Sequence, residues 1–89
     1  MADQRVKAAR VQLIDGLNQA VVKDLLDLLQ EKRVLNTGEL EEVLEGNRTT
    51  KDKSRCLVDM LVKKGPRACE TFLTCLQGVD QELCSSLQL

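Results

Sequence analysis

Apolar residues recur along this chain at three- and four-residue intervals from one end to the other, the spacing that lines one face of an α-helix. Val6, Leu13, Ile14, Leu17 and Val21 form the first such stripe, and Gly16 interrupts it, which predicts a first helix kinked or broken near that glycine. Val22, Leu25, Leu26 and Leu29 follow the i, i+3, i+4, i+7 pattern of a second helix. In "LNTGELEEVLEGN" both ends are marked. Asn36 is placed to cap, with Glu39 three residues on completing a capping box. Leu40, Val43 and Leu44 are expected to face inward, and Gly46 or Asn47 to end the helix in a left-handed conformation.

Thr49 or Thr50 opens a fourth helix whose apolar face is Leu57, Met60 and Leu61, with Lys63 and Lys64 at the favourable end of its dipole. Gly65-Pro66 closes that helix and starts a fifth, with Pro66 as its first residue. Cys69, Phe72, Leu73 and Leu76 line the fifth helix, Gly78 is expected to break it, and a short sixth helix holds Leu83 and Leu87. No sustained alternating run marks a strand, and no linker or repeat is visible. The pattern predicts one domain over residues 1–89, an all-α antiparallel bundle of six short helices.

Composition then removes whole classes of function. Apolar residues make up 43% and charged residues 30% of the 89, too apolar for a disordered chain. Phe72 is the only aromatic residue, so there is no stacking platform for bases, and a net charge of −1 gives no general pull on nucleic acid. Histidine is absent, which removes the commonest general base and the commonest nitrogen ligand for metals. Cys69 in "RACET" superficially matches a caspase nucleophile signature, but the flanking glutamine and glycine are missing and no histidine could take its proton. It also falls on the apolar face, where a core thiol belongs. Cys56, Cys69, Cys75 and Cys84 include no C-x-x-C pair and are expected to be reduced, mostly buried thiols. No catalytic residue, metal site or cofactor is expected. The opening "MADQRVKAAR" is charged at once, unlike a signal peptide, and the longest uncharged run, Thr71 to Val79, is far short of a membrane span. A cytoplasmic protein without a membrane partner is the expectation.

Charge geography is what remains. Asp24, Asp27 and Glu31 form one acidic stripe opposite Val22, Leu25, Leu26 and Leu29, and the next helix adds Glu39, Glu41, Glu42 and Glu45. The bases lie elsewhere: Arg5, Lys7 and Arg10 on the first helix, and Arg48, Lys51, Lys53 and Arg55 in and before the fourth. Segregation by itself favours ordinary solvated faces, with weak local pairs such as Arg55–Asp59 at i, i+4, and a structural bundle whose charges serve only solubility is the alternative reading. Complementary sectors on different faces would instead let one copy bind another head to tail, a contact that does not close and tends to build filaments.

The ordered set "MADQ", "LLDLL" at 25–29, "RVLN" at 33–36, "TTKDKSR" at 49–55, "LVDM" at 57–60, "KKGPRAC" at 63–69 and the closing Leu83, Leu87 and Leu89 resembles the caspase recruitment domain, CARD, of the death-fold superfamily. It is most similar to the CARDs of inflammatory caspases and of small CARD-only regulators. The resemblance covers essentially the whole chain. It implies a Greek-key six-helix bundle with a bent or broken first helix, which suits Gly16. It also implies homotypic binding in which an acidic patch on the second and third helices meets a basic patch on the first and fourth. Asp27 matches the acidic hot spot, with Asp24, Glu31 and Glu39 around it; Arg10 and Arg55 match the basic side, with Lys7 and Lys51 as helpers. The implied partners are CARD-containing proteins, whether an inflammatory caspase, an inflammasome adaptor or a sensor, and the chain itself as an oligomer or filament. The implied role is recruiting or regulating a caspase, either as a prodomain or as a CARD-only decoy.

Overall fold

The computed structural model describes all 89 residues as seven helices: α1 (Ala2–Ala8), α2 (Arg10–Gly16), α3 (Gln19–Glu31), α4 (Thr37–Glu45), α5 (Thr50–Lys64), α6 (Pro66–Val79) and α7 (Gln81–Ser86). The expected first helix is α1 and α2 in succession. The break falls at Ala9, where the backbone swings to φ −93° and ψ 7°, and not near Gly16, which is the last residue of α2. The cause is packing. Segment α1 lies along α6, α2 lies along α5, and the bend at buried Ala9 lets Val6 on one side and Leu13 and Ile14 on the other all reach the interior. Gly16 has a different use: a Cβ there would stand 2.6 Å from Cδ1 of Leu83, so its absence lets α7 close against the end of α2.

Helix ends largely follow local chemistry. Asn18 caps α3 by accepting from the Val21 N–H. Asn36 and Glu39 form the reciprocal capping box of α4, at 2.8 and 3.0 Å. Thr49 caps α5 by accepting from the Asp52 N–H. Gly65, at φ +112°, makes the turn that Pro66 continues into α6, a conformation L side chains rarely adopt. Two ends depart from expectation. Gly46 stays right-handed, at φ −79°, and α4 is finished instead by the Asn47 amide, which donates to the carbonyls of Glu42 and Val43. Gly78 does not break α6, which continues to Val79 before Asp80 caps α7. Helix α3 closes on Arg33, held left-handed at φ +62° while the Val34 N–H returns to Leu29 and the Arg33 N–H to Gln30.

The core gathers around α6, whose Cys69, Phe72, Leu73, Cys75 and Leu76 are buried and which packs on α1, α3, α5 and α7. Leu13, Leu25, Leu26, Leu29, Leu57 and Leu61 fill the space around Phe72's layer. Helix α4 packs chiefly on α3 and α5, and correspondingly buries only Val43. Leu44 therefore points outward, 40% exposed, contrary to its expected inward position. At its first turn α4 is held to the end of α5 by Glu39, whose Oε2 lies 2.7 Å from the Lys64 ammonium. That ion pair, together with the Asn36 N–H, holds the Glu39 carboxyl below the ordinary carboxylate range.

All four cysteines are free thiols. Cys69, Cys75 and Cys84 are buried and Cys56 is half-buried. Burial pushes the three buried thiols up in pKa, and Cys69 donates its S–H to the Leu61 carbonyl at 3.3 Å. Ellman's reagent at mildly alkaline pH should therefore modify Cys56 first and the other three only on unfolding; prompt reaction of more than one thiol would contradict this packing. The Glu39 pair carries a pH dependence of definite sign. Its folded carboxyl releases its proton more readily than the unfolded one, so its stabilisation is full above the ordinary carboxylate range and is lost as pH falls through that range and below. Glu39→Gln keeps an oxygen for the Asn36 N–H but removes the charge. It should lower the Tm near neutral pH by about 3 °C, the size expected of an ion pair worth about 0.5 kcal/mol, and the deficit should shrink below about pH 4. An equal deficit at both pH values would place the effect elsewhere.

Candidate protein-interaction surface

The acidic stripe of α3 forms as expected. Three consecutive apolar layers (Val21 and Val22, Leu25 and Leu26, Leu29) anchor the helix in the core, and that orientation leaves Asp24, Asp27 and Glu31 exposed on the opposite side. None of the three has a salt-bridge partner within the chain. Asp27 stands between two depressions. One, of about 300 Å³, is lined by Val22, Lys23, Leu26, Asp27, Leu44 and Lys53 among others. The other is shallow and holds Asp24 and Asp27 beside Leu28 and Val79. Glu39 is not part of this row. It lies in a separate depression between α4 and α5 with Glu42, Cys56, Asp59 and Lys63, already bound to Lys64.

The basic candidates are brought together by the packing of α2 on α5. Arg10 makes a two-pronged contact with Asp59, Nε to Oδ1 at 2.7 Å and Nη2 to Oδ2 at 3.0 Å. Lys51 pairs with Asp15 at 3.3 Å. The start of α2 thus meets the end of α5 and the end of α2 meets its start, so the two helices run antiparallel. Arg55 does not pair with Asp59, as its i, i+4 spacing suggests; it turns to Asp52 at 2.8 Å, because Arg10 occupies Asp59. Lys7 lies across the Ala9 break on α1, exposed and without an ion pair. The guanidinium of Arg10 holds the Asp59 carboxyl below its usual range, with Arg55 adding a smaller long-range pull.

Of the in-chain partners Asp15, Asp52 and Asp59, reading the sequence alone named only Asp59, and paired it with Arg55. Local spacing offers Arg55 two carboxylates, Asp52 at i−3 and Asp59 at i+4, whereas the Arg10–Asp59 contact joins positions 49 apart. All these pairs are exposed, with side chains a third to two thirds accessible at Arg10, Asp59, Lys51 and Asp15, so each is worth little by itself and exchanges readily. Arg10 spends two of its five N–H donors on Asp59, which leaves donors for a second carboxylate. No group of three or more Cys, Asp or Glu side chains converges as metal ligands, and no helix is long and apolar enough to cross a membrane. What the surface offers is an unpaired acidic row on α3 and a seam of paired bases between α2 and α5.

Comparison with known proteins identifies the family. The caspase recruitment domain (CARD) profile matches residues 3–89. Over all 89 residues the chain is 42% identical to caspase-1 of Equus caballus and 43% identical to caspase-1 of Felis catus, covering 22% of each of those proteins. It is 37% identical over the same span to caspase recruitment domain-containing protein 16 of Homo sapiens, covering 45% of it. The chain therefore spans about a fifth of the caspases it matches and less than half of the shorter relative. No solved structure gives a significant match. A bundle of this helix order with a split first helix, matched by the profile over nearly its whole length, belongs to the caspase recruitment domain family.

Proposed function

We propose that this chain is a homotypic CARD–CARD binding module that recruits or regulates an inflammatory caspase in the cytoplasm. The acidic row of one domain, Asp24, Asp27 and Glu31, meets the basic seam of another, Arg10, Lys51 and Arg55 with Lys7 beside them. Glu39 contributes at most from the edge, since its carboxylate is held by Lys64. The observation that carries this reading is the unpaired exposure of Asp24, Asp27 and Glu31 on a helix whose opposite face is buried in the core. An acidic row that no neighbour in the chain neutralises is available to a partner of opposite charge.

Two uses follow from the same contact. Attached to a protease domain, the module concentrates that domain on an assembly and raises its effective concentration for dimerisation. Alone, it occupies a caspase's CARD without delivering a protease. The relatives include both a caspase and a protein named for its recruitment domain.

Charge reversal tests the contact. Asp27→Arg and Arg10→Asp should each abolish binding to a caspase-1 CARD and self-association, while circular dichroism stays that of the wild type. An equimolar mixture of the two should associate again, because each retains the surface the other has lost and the reversed pair is itself complementary. Association of the wild type should weaken between about 50 and 500 mM salt as the screening length contracts. Unchanged binding by both single variants would leave the charges a role in solubility alone.

A further inference from the structure

Large hydrophobic side chains are exposed at only three places: Met1 at the terminus, Val11 at 65% and Leu44 at 40%. The two internal ones sit on the two surfaces described above. Val11 follows Arg10 on α2 and precedes Asp15 by one turn, on the same exposed face. Leu44 reaches over the depression of about 300 Å³ whose apolar lining is completed by Val22 and Leu26. The rim of that depression carries Asp27 and Lys23 from α3 and Lys53 from α5.

The α2 face thus presents a positive, an apolar and a negative group in order: Arg10, Val11, Asp15. The depression presents one negative group, Asp27, an apolar centre of Leu26 with Leu44, and two positive groups, Lys53 and Lys23. We propose that Val11 of a second copy of this chain seats in the depression between Leu26 and Leu44, flanked by Arg10 on Asp27 and Asp15 on Lys53. This deepens the CARD–CARD reading and rests on it: it names the occupant, the register and an apolar centre for an interface otherwise described only by charge. Charge complementarity of both signs about one apolar centre selects the second copy as the occupant. Neither flanking contact requires an existing pair to break. Arg10 has N–H donors beyond the two given to Asp59, and Asp15 gives only Oδ1 to Lys51. A depression with an apolar floor and a charged rim matches the anatomy of interfaces in which one central side chain is desolvated and the periphery stays wet.

The test uses the 89-residue chain and Val11→Ser and Leu44→Ser, both at exposed positions, with thermal melts confirming that each variant folds. Each should raise the concentration needed for self-association, followed by light scattering and sedimentation, by roughly tenfold, the effect of losing one partly buried aliphatic contact. That ratio should be nearly the same at about 50 and 500 mM salt, unlike the effect of Asp27→Arg. The double variant should be no worse than either single, since both remove one contact. A mixture of the singles should yield dimers at concentrations where neither associates alone, because Val11 of one still fits the intact depression of the other.

Wild-type thresholds for both serine variants would overturn the seating of Val11; if Asp27→Arg still abolished association, the charge-based reading would stand without it. Loss in Leu44→Ser but not in Val11→Ser would overturn Val11 as the occupant. A wild-type chain that stays monomeric to millimolar concentration would overturn the second copy. Indifference of Asp27→Arg as well would bring down the CARD–CARD surface itself.

Discussion

Everything in this molecule is arranged to bury one face of α6. A chain of 89 residues has little interior to work with, and its only aromatic ring, Phe72, lies in the middle of it. Because α1, α3, α5 and α7 must all reach α6, their directions are set by that demand, and the direction of each decides which residues it shows to water. The acidic row of α3 is exposed because Leu25, Leu26 and Leu29 are not. The seam between α2 and α5 exists because α1 has taken the place along α6, and the chain bends at Ala9 to lay α2 elsewhere. The exposed charged surfaces are the remainder left when the core is satisfied.

The match to the CARD family removes catalysis from consideration, since a CARD is a non-catalytic module that associates with other CARDs and the match occupies residues 3–89. The chemistry that remains is weak, reversible pairing. Arg10, Lys51 and Arg55 on the seam each already hold a carboxylate of their own chain, through exposed pairs that exchange readily. Asp24, Asp27 and Glu31 have no such partner, which makes the two surfaces unlike each other in more than sign.

Much of this was legible in the sequence where the signal is local. The capping box of Asn36 and Glu39, the Thr49 cap and the Gly65-Pro66 junction each depend on residues within three positions of one another, and each is present. The acidic stripe was legible because helical periodicity alone places Asp24, Asp27 and Glu31 opposite the leucines. The failures share a cause too. Nothing about an alanine announces a helix break, and Ala9 breaks the helix only because two distant helices claim its two sides. Leu44 sits within one turn of Leu40 and next to Val43, so periodicity groups it with the core, but α4 lies at the edge of the bundle with a narrow buried arc. The Arg10–Asp59 contact, between residues far apart in sequence, displaced the nearer pairing of Arg55 with Asp59. Local chemistry can be read from the order of residues; competition between remote elements for the same space or the same carboxylate cannot.

The depression beside Leu44 is built from α3, α4 and α5 and the Val11 face from α2, and this has a directional consequence. A row of copies joined through them has a polarity, like an arrow: one end presents an empty depression and the other an unclaimed Val11. The two ends are chemically distinct and so need not grow at the same rate. A related domain that retained only one of the two surfaces would act at one end alone, stopping growth there while leaving the opposite end open.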